Sequence, residues 1–164
     1  IFRCVSRDWS SPEAIREFVE AALDARERRE ALPFATVLRE TDEAIGSTRF
    51  GNVAPEHRRV EIGWTWLTPA QQRTPANTEA KYLMFTHAFE EWDCARVELK
   101  TDSRNRRSRE AILRIGATEE GTLRRHMQTH QGPRDTVYFS VLDEEWPSVK
   151  RDLETKLARS YSGE

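Results

Sequence analysis

The stretch Gln72-Arg73-Thr74-Pro75-Ala76-Asn77-Thr78-Glu79-Ala80 joins two runs of different periodicity. Ahead of it, the tryptophan-rich residues 61–68 alternate as a strand does; behind it, residues 81–92 carry apolar side chains at helical spacing. A short polar loop that opens a helix directly after a strand leaves several backbone N–H groups without intrahelical partners. Those groups form a seat for a phosphate or pyrophosphate. The same residues also have a purely structural reading, with Asn77 or Thr78 as a helix cap.

Toward the C-terminus, a strand-like run at 95–101 is followed by Asn105-Arg106-Arg107-Ser108, then Ala111-Ile112-Leu113 and Ile115-Gly116-Ala117. This predicts a short helix stopped by glycine, which suits the left-handed position beyond a helix end. Strands at 118–125 and 136–142 come next, then a final helix capped by Asp143 with Trp146, Val149, Leu153 and Leu157 on one stripe. Toward the N-terminus, Ser11-Pro12-Glu13 opens a helix carrying Ile15, Phe18, Val19, Ala22 and Leu23, fraying in the charged run 26–30. Short alternating runs at 34–39, 44–50 and 60–68, divided by turn-like segments, predict an antiparallel meander.

The 164 residues fit a single domain spanning 1–164, with five Trp and seven Phe to feed a core. Lys plus Arg total 26 against 28 Asp plus Glu, so no global positive field favours nucleic acid or an anionic membrane surface. No apolar run is long enough to span a bilayer. Cys4 and Cys94 match no metal or redox spacing, which favours reduced thiols in a cytoplasmic protein. His126 and His130 would share a face only on a helix, and Gly132-Pro133 nearby predicts a loop; no metal site is expected.

The segments Glu61-Ile62-Gly63-Trp64, Gln72 to Ala80, and Asn105-x-x-Ser108 followed by Ile115-Gly116 resemble the GNAT superfamily of acetyl-CoA-dependent N-acetyltransferases. The likeness runs from about Ser11 to Leu142 and falls in the RimJ/RimL-like branch, the ribosomal-protein alanine N-acetyltransferases. It implies an α+β fold: a mixed, mostly antiparallel central sheet flanked by helices, its strands splayed at the acetyl-CoA site. Family members carry a further strand and helix ahead of this sequence, which begins at Ile1, so those are expected to be missing here. Many are homodimers.

The family's loop pattern is Gln/Arg-x-x-Gly-x-Gly/Ala, wrapping the cofactor pyrophosphate. Anchored on Thr78-Glu79-Ala80, it puts Gln72 first, Pro75 where glycine is usual and Asn77 where glycine or alanine is usual. Proline fixes φ and offers no N–H, so this cradle has at least one donor fewer. The resemblance implies that acetyl-CoA is held by backbone at Trp66, Leu67 and Thr68, by the loop residues Gln72, Arg73, Thr74, Ala76, Asn77 and Thr78, and by the Asn105 amide on the pantetheine arm.

Acetyl transfer from a thioester to an amine needs a deprotonated amine, a donor for the developing oxyanion and a proton for the leaving thiolate. Alternation would put Glu61, Gly63 and Thr65 on one face and Ile62, Trp64 and Trp66 on the other. Glu61 is a candidate base, because a carboxylate there in the family often faces the amine; it reads equally as a surface partner of Arg58 or Arg59. His126 is the rival base, next to where ribosomal-protein members carry a carboxylate. The family's usual tyrosine acid is replaced by Ile112, and Ser108 stands where the RimJ and RimL branch offers a serine instead. Asn105 also reads as a helix cap. Arg104, Arg106, Arg107 and Arg109 read as a solvated face or as phosphate partners, and Trp64, Trp66, Trp92 and Trp146 first as core. The implied function is acetylation of a protein N-terminal or small-molecule amine. A noncatalytic acyl-CoA-binding module is the competing reading, motivated by Pro75 and Ile112.

Overall fold

Ser11 accepts a hydrogen bond from the Ala14 amide at 3.2 Å and opens helix α1, Pro12–Glu27, with Pro12 in the first turn, where its missing N–H costs nothing. In this computed structural model, which describes residues 11–162, α1 leads into the meander β1 (Ala31–Leu38), β2 (Glu43–Ala54) and β3 (Arg59–Leu67). Helix α2 (Ala76–Thr86) follows and runs on through a π-helical turn, His87–Glu91. Then come β4 (Arg96–Asp102), α3 (Arg106–Arg114), β5 (Thr118–Thr129), β6 (Gly132–Leu142) and α4 (Trp146–Ser162). The strands form one six-stranded sheet in the order β1-β2-β3-β4-β6-β5, antiparallel except for β3 against β4. The mostly antiparallel α+β sheet expected from the sequence is therefore present.

One face of the sheet carries the core. Phe50, Val60, Ile62, Val97, Leu99, Val137, Phe139 and Val141 meet Met84, Phe85 and Phe89 from the α2 segment, and Trp146, Val149 and Leu153 of α4. Trp146 stacks on Phe89 with ring centroids 5.3 Å apart. Burying each large apolar side chain stabilises the fold by about 1.5–3 kcal/mol. Side chains alternate along β2, so Arg49, next to core-facing Phe50, points to the other face, where Phe18 of α1 covers it.

Several details depart from the sequence reading. Trp146 is core, but Trp64 and Trp92 are 39% and 37% exposed. Asp143 takes the amide of neighbouring Glu144 on its carboxylate, and α4 starts only at Trp146, with Val149 bonding back to the Glu145 carbonyl. His126 lies inside β5, which runs on to Thr129 where a loop was expected. Cys94 is a buried free thiol, and Cys4 lies outside the described residues. No helix among the described residues is long and apolar enough to cross a membrane.

Candidate active site

β3 and β4 pair only at Arg59 with Arg96, Val60 with Val97 and Glu61 with Glu98; beyond these the strands part. The cause is local to β3. Between Ser47 paired with Trp66 and Arg49 paired with Gly63, β2 has one residue and β3 has two, a bulge at Trp64 and Thr65. Trp64 sits at φ 51°, a left-handed conformation that costs a bulky residue about 1–3 kcal/mol.

The bulge overturns the simple alternation. Thr65 turns to the α2 face, where its hydroxyl lies 2.8 Å from that of Thr48 and 2.9 Å from Lys81 Nζ. Trp64 turns to the opposite face, its ring over Gly51, where an added Cβ would stand 2.5 Å from Cζ3. Lys81 also donates to Thr48 at 3.1 Å and is 3% exposed; burial pulls its ammonium down to about 7.

The loop before α2 achieves its turn without glycine. Arg73 takes the left-handed conformation at φ 68°, and Pro75, at φ −62°, becomes the residue flanking the helix. Thr74 Oγ1 donates to the Gln71 carbonyl at 2.9 Å and lies 3.4 Å from the Ala76 amide. The Asn77 and Thr78 amides have no acceptor among the described residues and remain at the helix start. Gln72 ties the loop down, its Nε2 donating to the Leu67 carbonyl at 3.1 Å. Trp66 pairs with Ser47, and Thr68 donates its amide to Ile45 at 2.7 Å, so that N–H is already spent on β2 and is withdrawn from the cofactor-side donors.

Across the opening, Asn105 caps α3, its Oδ1 accepting from the Ser108 amide at 3.1 Å. The Asn105 side-chain NH2 and the partly exposed Ser108 hydroxyl make no hydrogen bond among the described residues. Ile112 is buried in the core. The arginine run divides: Arg104 pairs with Asp102, Arg106 with Glu110 and Arg109 with Glu119. Arg107 instead reaches Gln72 Oε1 at 2.6 Å and bridges α3 to the loop.

Glu61 is buried at 2% exposure, and its partners are neither Arg58 nor Arg59. Its Oε2 accepts from Asn52 Nδ2 at 2.6 Å and meets Lys100 Nζ at 2.8 Å. Oε1 leans over Gly63, 3.0 Å from where a Cβ would stand, so the carboxylate takes up the room that the glycine leaves. Lys100 Nζ lies 5.7 Å from the Tyr138 ring, and exposed His126 meets the same ring edge-on at 5.7 Å. Tyr138 thus links the two candidate bases. Lys100→Met leaves Glu61 a buried unpaired carboxylate and is expected to cost about 2 kcal/mol, less than for a fully buried pair. Urea unfolding of the variant at pH 7 measures it.

Asn52, Lys100, Lys81 and Arg49 are absent from the sequence-based site. Lys81 had a readable signal, since it shares a helical stripe with buried Thr78 and Phe85. Arg49 is 6% exposed and lies between two rings, its Cζ 4.6 Å from the Phe18 centroid and 5.0 Å from that of Trp64. Its Nε is buried without a hydrogen-bond partner.

Comparison with known proteins agrees with this architecture. The model of the acetyltransferase (GNAT) domain matches residues 2–118. The chain is 25% identical over 152 residues to the uncharacterized N-acetyltransferase YoaA of Bacillus subtilis, covering 87% of this chain and 85% of that one. Among solved structures, a GCN5-related N-acetyltransferase from Brucella melitensis superposes with a TM-score of 0.86 at 28% identity, covering 94% of this chain and 69% of that one. Mycobacterium smegmatis RimJ, solved in complex with CoA-disulfide, shares the fold with a TM-score of 0.77 at 24% identity, covering 93% and 74% of the two chains. With a family model spanning most of its length and a sheet that opens where the acetyltransferase fold opens, this chain belongs to the GNAT acetyltransferases.

Proposed function

We propose that the protein transfers the acetyl group of acetyl-CoA to a primary amine, on a protein N-terminus or a small molecule, by direct attack on the thioester. The observation that carries this reading is the opening between β3 and β4, with free amides at one end and an unengaged hydroxyl at its side. The pyrophosphate belongs at the start of α2, on the Asn77 and Thr78 amides, where helix-end partial charge favours an anion. Arg73, Thr74 and Ala76 shape that turn, and Arg107 lies within reach to add a guanidinium. The pantetheine runs past Leu67, between Trp66 and Thr68, toward the Asn105 NH2. Family chemistry fixes the bond changes: a C–N bond forms as the C–S bond breaks, the amine proton leaves to a base, and the thiolate takes one.

Glu61 Oε1 is the better base, because Lys100 and Asn52 both engage Oε2 and hold the carboxylate in place. His126 is the second candidate. Glu61→Gln is expected to lower the rate and flatten the acid limb of its pH profile, with His126→Ala changing it less. If both variants keep the wild-type profile from pH 6 to 9, neither is the base. The overall reading is tested by thermal shift with acetyl-CoA and by thiol release with a panel of amines. Stabilisation without thiol release for any amine would leave a noncatalytic acyl-CoA-binding module.

A further inference from the structure

Lys81 is a buried amine that the chemistry proposed above does not use. It stands in α2 at 3% exposure, and its Nζ donates to Thr65 Oγ1 at 2.9 Å and to Thr48 Oγ1 at 3.1 Å. The two hydroxyls lie 2.8 Å apart, and each is 3.4 Å from the Gly63 carbonyl oxygen. An amine keeps two N–H donors even after it loses its proton, so this pair of bonds does not depend on charge.

Where these atoms meet decides what they serve. Thr48 is the single β2 residue that faces two of β3 at the bulge, between the pairs Ser47 with Trp66 and Arg49 with Gly63. Thr65 is the second residue of the bulge, exposed on the stretch of β3 that β4 leaves unpaired. Regular alternation from core-facing Ile62 would aim Trp64 at this spot, and every later residue of β3 would change face. The amine and the Thr48 hydroxyl pair with the Thr65 hydroxyl, whereas an indole in its place would leave the buried amine short of an acceptor, at a cost in free energy. The bonds thus favour the bulged register over the regular one, against the strain of a left-handed Trp64. Fixing one register is the best-attested use of a polar group that is costly to bury.

We infer that Lys81 is a positioning residue for acetyl transfer: by holding Thr65 and Thr48 it fixes the bulge, and with it the course of the β3 edge along which the thioester is aligned. It touches no reacting atom and acts through Thr65. This rests on the acetyl-transfer reading and adds to it the residue that sets the opening.

Single and double variants at pH 7 test it. Lys81→Met is expected to lower kcat by roughly ten- to a hundredfold, the scale for a reacting group misplaced by about an ångström. Acetyl-CoA affinity by calorimetry should stay within a few-fold of wild type, because the amides at the start of α2 are untouched, and stability to urea should be no lower. Thr65→Val, which keeps the shape and removes the hydroxyl, should show the same kcat loss, and Thr65→Ser should restore the rate to within a few-fold. The double variant Lys81→Met/Thr65→Val should lose no more than the larger single loss, since the two residues act as one unit. Hydrogen exchange in the cofactor-free protein gives a readout without turnover: in Lys81→Met the amides of residues 63–67 should exchange faster than in wild type, while those of β6 keep their protection.

Retained kcat with unchanged exchange overturns the inference, and so do losses that multiply in the double variant. A kcat loss that comes with lower stability and faster exchange throughout the sheet also overturns it, and makes Lys81 an ordinary core residue. If Lys81→Met does not fold, Thr65→Val decides in its place. No turnover by wild type with any amine strikes the enzyme reading alone, and exchange then decides: faster at residues 63–67 supports the inference, unchanged removes it.

Discussion

Replacing Ser108 by alanine is expected to lower kcat by roughly tenfold to a thousandfold, the range for losing one acid–base or oxyanion contact. Acetyl-CoA affinity should stay within a few-fold of wild type. The structure makes this substitution a clean probe. Asn105 caps α3 through the backbone amide of Ser108, and the hydroxyl takes no part in the cap, so alanine leaves the helix start intact. A hydroxyl that meets charge only as the thiolate departs changes kcat and leaves ground-state binding alone. Steady-state kinetics and calorimetry on the variant give both numbers. Collapse of affinity with unchanged single-turnover transfer would make Ser108 a binding residue and pass the protonation to water.

Lys81→Met is expected to stabilise the protein by up to a few kcal/mol below pH 7 and to flatten its stability profile in mild alkali. Burial lowers the Lys81 pKa from 10.5 to about 7 in the folded state. Between those values the unfolded chain binds the extra proton, so wild-type stability rises with pH through that window. Below about pH 7 both states are charged and the full cost remains. The shift of about 3.5, taken as 10.5 minus about 7, sets a ceiling of roughly 4–5 kcal/mol. Losing the bonds from Nζ to Thr48 and Thr65 offsets part of the gain, although those hydroxyls still have each other at 2.8 Å. Urea melts of both proteins at pH 6 and pH 9.5 decide it: a variant gain no larger at pH 6 than at pH 9.5 would show that Lys81 is not held near neutrality.

The order of elements was legible because each has its own period: alternation in β1 to β3, helical spacing in α1 and α2, and a glycine stop after α3. Ser11 and Asn105 were legible as caps because capping is local chemistry. The faces of β3 were not, since one extra residue at Trp64 moves every later side chain to the other side, and no local rule assigns left-handed φ to a tryptophan. The glycine-free loop was misleading for a related reason: the left-handed turn falls to Arg73, a residue type that gives no sign of it. Glu61 was legible as a candidate, but its partners, Asn52 and Lys100, come from strands on either side of it, and sequence carries no record of such pairings. The burial of Arg49 was not legible because an arginine beside a core phenylalanine reads as an ordinary outward-facing strand residue.

Because β3 and β4 share only three residue pairs, the sheet is two half-sheets joined at one short seam and backed by a common helical layer. Past that seam, the facing edges carry amides and carbonyls without the ladder that protects the rest of the sheet. A pantetheine chain, itself a string of amides, would enter the gap as a surrogate strand. On that reading cofactor occupancy is a mechanical property of the fold: full, the gap would be spanned and the two halves tied together; empty, it is where the sheet is least braced, and amide exchange should be faster at the β3 amides that face the gap than at those paired with β2.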